Sequence, residues 1–334
     1  FDSNLNKLWD YKSVTVPNGY GATGVAVNSS GYIYVVGRHD SWGDIYEIYD
    51  PNGNQLHSYI ESICGIWLWE VEVDSQDYPI LAGHCCAQDN YIIKTYKNGT
   101  VMYSNVDGDG GYFDVAVLSD NTYVVVGDQF GQNIFKISYH NNDLSDVWVT
   151  TNDYSAGKDV FYTVAVDSSD FIYASGEANN DWLITKWDTS GSMLWSKTYD
   201  MGDDVSRKDR AIESLINNNQ LIVVGRNGTY GFIIGINTNT GNIEWKYWLG
   251  IEEASETIFE GVGALDSYNY VITGYYKKPD NSYRQFVMKW AIADPEPTVT
   301  IGEEETVIDP ETKIPYWIES KSDGEWAKVW IKVP

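Results

Sequence analysis

Six residues able to bind, ionise or donate recur along this chain at nearly even steps: Arg38, His84, Asp128, Glu177, Arg226 and Tyr275. Each directly follows a glycine, and successive members stand 46, 44, 49, 49 and 49 residues apart. Arginines opposed to carboxylates in one such set could hold a polar ligand, or could satisfy one another at a solvated rim. Glu72 joins them as a ligand-binding candidate, being the one charged residue at a place where the chain otherwise repeats small side chains. Paired carboxylates such as Asp128 and Glu177 would suit acid and base roles on either side of a sugar bond. With 48 Asp and Glu in the chain, however, such pairs arise by chance, and no S-x-D-x-G-x-T-W box marks a sialidase.

Two smaller groups could carry chemistry. Asn105, Asp107 and Asp109 place oxygens at alternate positions ahead of Gly110, as calcium loops do, although the carboxylate that should complete the loop is missing. Calcium is thus the one cofactor the sequence suggests, against the plainer reading of an Asp/Gly turn. Cys64, Cys85 and Cys86 lack the C-x-x-C spacing of a zinc site. Cys64 precedes the first strand of its repeat and Cys85 follows the second, so a bridge from Cys64 to Cys85 or Cys86 is open under oxidising conditions, with free thiols the alternative.

The elements that must position these residues are legible from a repeat. Six segments, 24–37, 70–83, 114–127, 163–176, 212–225 and 261–274, match one another and end in Gly37, Gly83, Gly127, Gly176, Gly225 and Gly274. Each reads as strand, polar turn, strand; in 163–176, Thr163-Val164-Ala165-Val166 and Phe171-Ile172-Tyr173-Ala174 flank Asp167-Ser168-Ser169-Asp170. A third strand (Trp182 to Trp187), a turn (Asp188 to Gly191) and a fourth strand (Met193 to Lys197) follow. The fourth strands carry His57, Tyr103, Trp148, Trp195 and Trp245 at a fixed place. Four strands per repeat make a blade, and six blades make an all-β, six-bladed β-propeller over residues 1–297.

If the blades superpose, the six polar residues form one ring on the face where the second strands emerge. Ala26, Ala116, Ala165, Ser214 and Gly263 hold the third place of the innermost strands, which reads as a packing demand near the axis, with Glu72 the exception. The missing sixth aromatic of the fourth strands is Trp9, so residues 5–16 are expected to supply the outer strand of the last blade and close the propeller. Residues 298–334 break the repeat and read as a small C-terminal β appendage. It is too short to fold alone, and its Trp317, Trp326 and Trp330 are interaction candidates, including for an oligomer.

The pattern D-x-x-x-x-[IV]-Y-x-x-G followed by D-W-L-I-T-K-W-D-T-S-G-S-M-L-W, clearest at 163–199, resembles the tandem β-propeller repeats of bacterial and archaeal surface proteins, the type labelled seven-bladed or quinoprotein-like. That resemblance covers residues 1–294 and implies the fold and a surface location, but no catalytic residue. Six blades are counted here where the label says seven. Richness in Asn, Tyr and Ile also resembles proteins of archaeal viruses.

Composition narrows the partners. A formal charge of −26 repels phosphate backbones and anionic membranes, so nucleic acid is excluded, and no apolar run is long enough to insert in a membrane. The chain opens at Phe1 without a signal segment, as a processed chain would. Sequons at Asn28, Asn98 and Asn227 permit glycosylation outside the cell. The sequence therefore predicts a non-enzymatic structural or recognition scaffold for protein or glycan partners, extracellular, on a cell surface or in a virion. A glycan-active hydrolase or lyase, sited on the ring face, is the alternative.

Overall fold

The structure, a computed structural model, describes residues 21–39, 43–59, 67–85, 89–129, 134–155, 157–202, 209–251, 254–291, 298–300, 314–320 and 325–332. Every described regular element is a strand. Blade 1 comprises β1 (Ala22–Val27), β2 (Ile33–His39), β3 (Gly43–Tyr49) and β4 (Gln55–Tyr59). Blade 2 comprises β5 (Trp67–Val73), β6 (Pro79–His84), β7 (Asp89–Thr95) and β8 (Val101–Asp109). Blade 3 comprises β9 (Gly111–Val117), β10 (Tyr123–Gln129), β11 (Ile134–His140) and β12 (Asp146–Asn152), and blade 4 β13 (Asp159–Val166), β14 (Ile172–Ala178), β15 (Asp181–Trp187) and β16 (Met193–Tyr199). Blade 5 starts with β17 (Asp209–Asn217), β18 (Gln220–Asn227), β19 (Tyr230–Asn237) and β20 (Ile243–Ile251). Blade 6 comprises β21 (Glu256–Ala264), β22 (Asn269–Lys277), β23 (Tyr283–Ala291) and β24 (Thr298–Thr300).

Each blade is an antiparallel meander in chain order, which is the β-propeller architecture expected from the repeat. The chain divides into two compact units, one holding blades 1 to 3 with part of blade 4, the other the rest of blade 4 with blades 5 and 6.

Second and third strands are apolar on both faces because both faces are covered by neighbouring blades. Tyr123, Val124, Val125 and Val126 of β10 are wholly buried. Between blades 2 and 3 the core is Ile80, Ile92, Tyr112, Val115, Tyr123 and Val125, and between blades 5 and 6 it includes Ile222, Val224, Phe259, Ile272 and Trp290. Outer strands such as β12 and β16 stay largely exposed. Their tryptophans reach across to the next blade: Trp148 Nε1 donates to the Thr189 carbonyl at 3.0 Å, and Trp195 Nε1 to that of Thr238 at 3.3 Å. Gly191, at φ +84°, leaves the space that the Trp148 ring fills; a Cβ there would stand 3.1 Å from it.

The hairpin turns of successive blades are also latched. The Ser29 N–H and hydroxyl donate to Asp77 at 2.9 and 2.8 Å, the Ser75 N–H to Asn121 at 2.9 Å, and the Ser119 N–H and hydroxyl to Asp170 at 2.9 and 2.6 Å. The three acceptors have φ of 67°, 62° and 61°, the left-handed conformation that Asp and Asn tolerate best among residues with a side chain.

At the end of the last blade, Thr298–Thr300 pairs with Lys289–Ala291, so this stretch of the outer position belongs to β24. The expected closing strand at 5–16, with Trp9, lies outside the described residues. The appendage is a hairpin of β25 (Ile314–Ser320) and β26 (Glu325–Lys332), and it extends blade 5 in the order β17-β18-β19-β20-β26-β25. Residues 298–300 therefore join blade 6 and the hairpin joins blade 5.

Candidate functional site

Why a glycine closes each repeat is visible in the strand register. In blades 1, 2, 3, 5 and 6 the innermost strand shifts by one residue near that glycine, between Ala22 and Gly24, Leu68 and Glu70, Tyr112 and Asp114, Ala211 and Glu213, and Phe259 and Gly261. Each shift is a β-bulge, which adds one residue and re-aims its side chain. A Cβ on Gly83, Gly127, Gly225 or Gly274 would overlap the carbonyl of Trp67, Gly111, Arg210 or Ile258, respectively. The extra residues are Thr23, Trp69, Phe113, Ile212 and Glu260.

The residues after the glycines fall as follows. In the first unit, Arg38 lies in β2 opposite Asp44, with its side chain outside the described set. His84 is buried, its Nδ1 accepting from Trp69 Nε1 at 3.1 Å while the Trp67 ring meets it edge-on at 4.8 Å. Asp128 is half-buried near the end of β10.

In the second unit, Glu177 is buried and accepts from Arg210 Nε at 2.6 Å, an ion pair. Arg210 stands directly opposite Arg226 in the β17–β18 ladder. Arg226 Nη1 lies 3.8 Å from Glu256, and its buried Nε has no hydrogen-bond partner among the described residues. Burial raises the Glu260 carboxyl, with Arg226 opposing. Burial also raises the Tyr275 phenol, helped by Glu260, and its ring meets Tyr283 edge-on at 5.4 Å. Arg226 and Tyr275 are thus brought together with Glu256, Glu260 and Tyr283, and Glu177 is joined to them through the cross-strand arginines.

Beside this cluster, the carboxylates of Asp181, Asp200 and Asp209 offer oxygens within 4.8 Å of one another, a donor set suited to a hard cation. Asp209 is buried and is pushed up to about 7, chiefly by that burial and then by Asp200 and Asp181. It accepts the Met201 N–H at 3.0 Å. Asp159, at the same place in blade 4, likewise accepts the Ser155 N–H at 2.8 Å, so this position clamps the incoming loop in both blades.

Several expectations change. Glu72 is open to solvent yet crowded by protein, and burial raises its carboxyl. A Cβ at Gly263 would meet nothing within 4 Å, so smallness at that third place is not a packing demand in blade 6. Asn105, Asp107 and Asp109, expected in a turn or calcium loop, belong to strand β8 and pair with Ile92, Asn90 and Asp89 of β7. Asn105 is also turned as a donor, its Nδ2 giving hydrogen bonds to the Leu144 carbonyl at 2.8 Å and to Asp146 at 2.9 Å. Cys85 is a free thiol, 3.9 Å from Asp89; Cys64 and Cys86 lie outside the described residues. Of the sequons, Asn28 is buried and Asn227 half-buried with its amide on the Met201 carbonyl, which leaves Asn98 exposed. The backbone of Trp330 pairs with both Gly250 and Pro315, that of Trp317 with Lys328, and that of Trp326 with Glu319; their side chains are outside the described set.

One group has no counterpart among the expected site residues. Trp69 and Phe113, the bulge residues of blades 2 and 3, meet edge-on at 5.6 Å, and Phe113 lies 5.7 Å from Tyr162 of blade 4. All three are half-buried. Extending the repeat alignment one residue upstream of segments 70–83, 114–127 and 163–176 would have found them.

The fold defines a β-propeller. Comparison with solved structures agrees. The chain is similar to a structure described as the Dos1 propeller, at 11% identity and a TM-score of 0.56, covering 94% of this chain and 81% of the other. It is also similar to a protein from Lactobacillus plantarum, at 12% identity and a TM-score of 0.57, covering 84% of this chain and 83% of that one. Both likenesses concern the fold alone. No protein-family model matches the sequence, and no curated protein matches it.

Proposed function

We propose that this propeller is a non-enzymatic scaffold of an extracellular surface or a virion, which self-associates through its C-terminal hairpin. The fold supports a scaffold or binding role in general, and the attachment of the hairpin supports the particular one. β26 pairs with Trp248–Ile251 of the outermost strand of blade 5, and β25 follows as the last strand of a six-stranded sheet. A terminal strand offers a row of backbone donors and acceptors on which another chain can pair. Residues 314–332 also hold three acidic and three basic residues, so this stretch carries none of the −26 charge that keeps the remaining surfaces apart. Trp317, Trp326 and Trp330 add the residue type most enriched at protein contacts.

Sedimentation velocity of the full chain beside one ending at Thr300 tests this, since that cut keeps β24 in blade 6. A concentration-dependent oligomer of the full chain that is lost in the shorter one is expected. A monomer in both, or an equal oligomer in both, would overturn it.

A further inference from the structure

We infer that Asn98 carries an N-linked glycan, being the one among the three sequons that the fold leaves able to accept it. The inference rests on the extracellular part of the reading above. Asn98-Gly99-Thr100 joins β7 to β8. The Gly99 N–H donates to the Tyr96 carbonyl at 2.8 Å, which closes a β-turn, and Gly99 takes φ +85°, a conformation glycine adopts without strain. The Thr100 N–H donates to Asn98 Oδ1 at 3.1 Å, so the turn engages the oxygen of the side-chain amide and not its nitrogen. Asn98 and Thr100 are both exposed, and neither Asn98 Nδ2 nor the Thr100 hydroxyl has a hydrogen-bond partner among the described residues. Those two groups are the nucleophile and the recognised hydroxyl of an N-x-[ST] acceptor.

The other two sequons fail at the same atom. Asn28 is buried; its Nδ2 donates to the Tyr34 hydroxyl at 3.3 Å while its Oδ1 accepts the Ser30 and Tyr32 N–H groups at 3.0 and 2.9 Å. Asn227 Nδ2 donates to the Met201 carbonyl at 2.9 Å and is packed so closely on Gly202 that a Cβ there would overlap it. A glycan replaces one hydrogen of Nδ2 with a bulky, hydrated ring. At Asn98 that ring enters solvent, whereas at Asn28 or Asn227 it would enter packed protein.

The step is a glycosyl transfer from a lipid-linked oligosaccharide. The bond between its anomeric carbon and the carrier's phosphate oxygen breaks, and the lipid phosphate leaves with the electron pair. The anomeric carbon bonds to Asn98 Nδ2, which gives up one proton to a base; nothing is oxidised or reduced. The place of the turn gives the glycan a role. β6 runs from Pro79 to His84 and β7 returns, so residues 96–100 stand at the end of blade 2 away from His84, beside the inner hairpin turn. There Lys97 Nζ meets Asp77 at 3.1 Å, and the Tyr96 and Tyr78 rings meet edge-on at 6.1 Å. A glycan on Asn98 keeps this end of blade 2 hydrated and out of contact with other proteins.

Peptide mapping by mass spectrometry tests this on the full chain isolated from its natural source and, in parallel, on the full chain secreted from glycosylating eukaryotic cells behind an appended export signal. Both should carry a glycan on Asn98 and none on Asn28 or Asn227. In the secreted chain, Asn98→Gln and Thr100→Ala should each lose the whole glycan mass, Thr100→Ser should retain it, and all three should melt as the enzymatically deglycosylated parent does. A secreted chain with Asn98 bare, or with Asn28 or Asn227 occupied, overturns this inference and leaves the extracellular reading standing. A natural chain found inside the cell and free of glycan overturns both.

Discussion

Replacing Asp209 by asparagine probes the electrostatics of the three-carboxylate cluster beside the Arg210–Arg226 pair. The Asp209 carboxyl stands at about 7 in the fold against an ordinary 3.8. The native state therefore keeps a proton that the unfolded chain releases, and folding stability falls as pH rises from about 4 to about 7, then stays level. Three units at 1.36 kcal/mol each give about 4 kcal/mol, and solvent around exposed Asp200 reduces this to about 2–4 kcal/mol. Asparagine retains a carbonyl oxygen for the Met201 N–H, now 3.0 Å from the carboxylate, and cannot ionise. Urea unfolding in the presence of a chelator, repeated across this range, should show variant and parent nearly equal near the acid end. By neutral pH the variant should be the more stable by about 2–4 kcal/mol. A difference that stays flat with pH would refute the reasoning, because it would mean that Asp209 ionises alike in both states.

Two further outcomes follow from packing and pairing. Gly127→Ala drives a methyl into the Gly111 carbonyl at the blade 3 bulge and should cost about 1–3 kcal/mol or more by the same unfolding assay, whereas alanine at Gly263, where nothing stands within 4 Å, should cost less than about 1 kcal/mol. Arg210→Ala strands the buried Glu177 carboxylate and should cost about 3–5 kcal/mol, and replacing both partners by leucine and methionine should recover most of that loss; equal losses would contradict a desolvated pair.

The closing glycines were legible because sterics leave no choice there: a carbonyl sits where a side chain would go at Gly83, Gly127, Gly225 and Gly274. The bulges beside them were not, since a one-residue register shift leaves no mark in a pattern of alternating residues, and Trp69 and Phe113 looked like ordinary strand residues. Asn105 and its neighbours have the composition of a turn but pair along β7, where the ladder outweighs local preference. Position after the glycine proved a weaker guide than strand neighbours. It singled out Arg226 and Tyr275 as candidates, but the groups that surround them, Arg210, Glu256 and Glu260, come from β17 and β21, whose alignment with β18 and β22 no local pattern reveals.

The latched turns have a consequence for how such a chain is assembled from modules. Blades 2 and 3 carry both halves of the fastening in one hairpin turn, a serine that donates forward, Ser75 or Ser119, and an acceptor that receives from behind, Asp77 or Asn121. The contact is head-to-tail, and a head-to-tail contact has no built-in terminus. A duplicated hairpin inserted between two blades would find a donor on one side and an acceptor on the other, with no new interaction needed. Nothing in this fastening counts blades. The turns make neighbours interchangeable, and a repeat family using them can gain or lose a blade while every remaining joint stays the same.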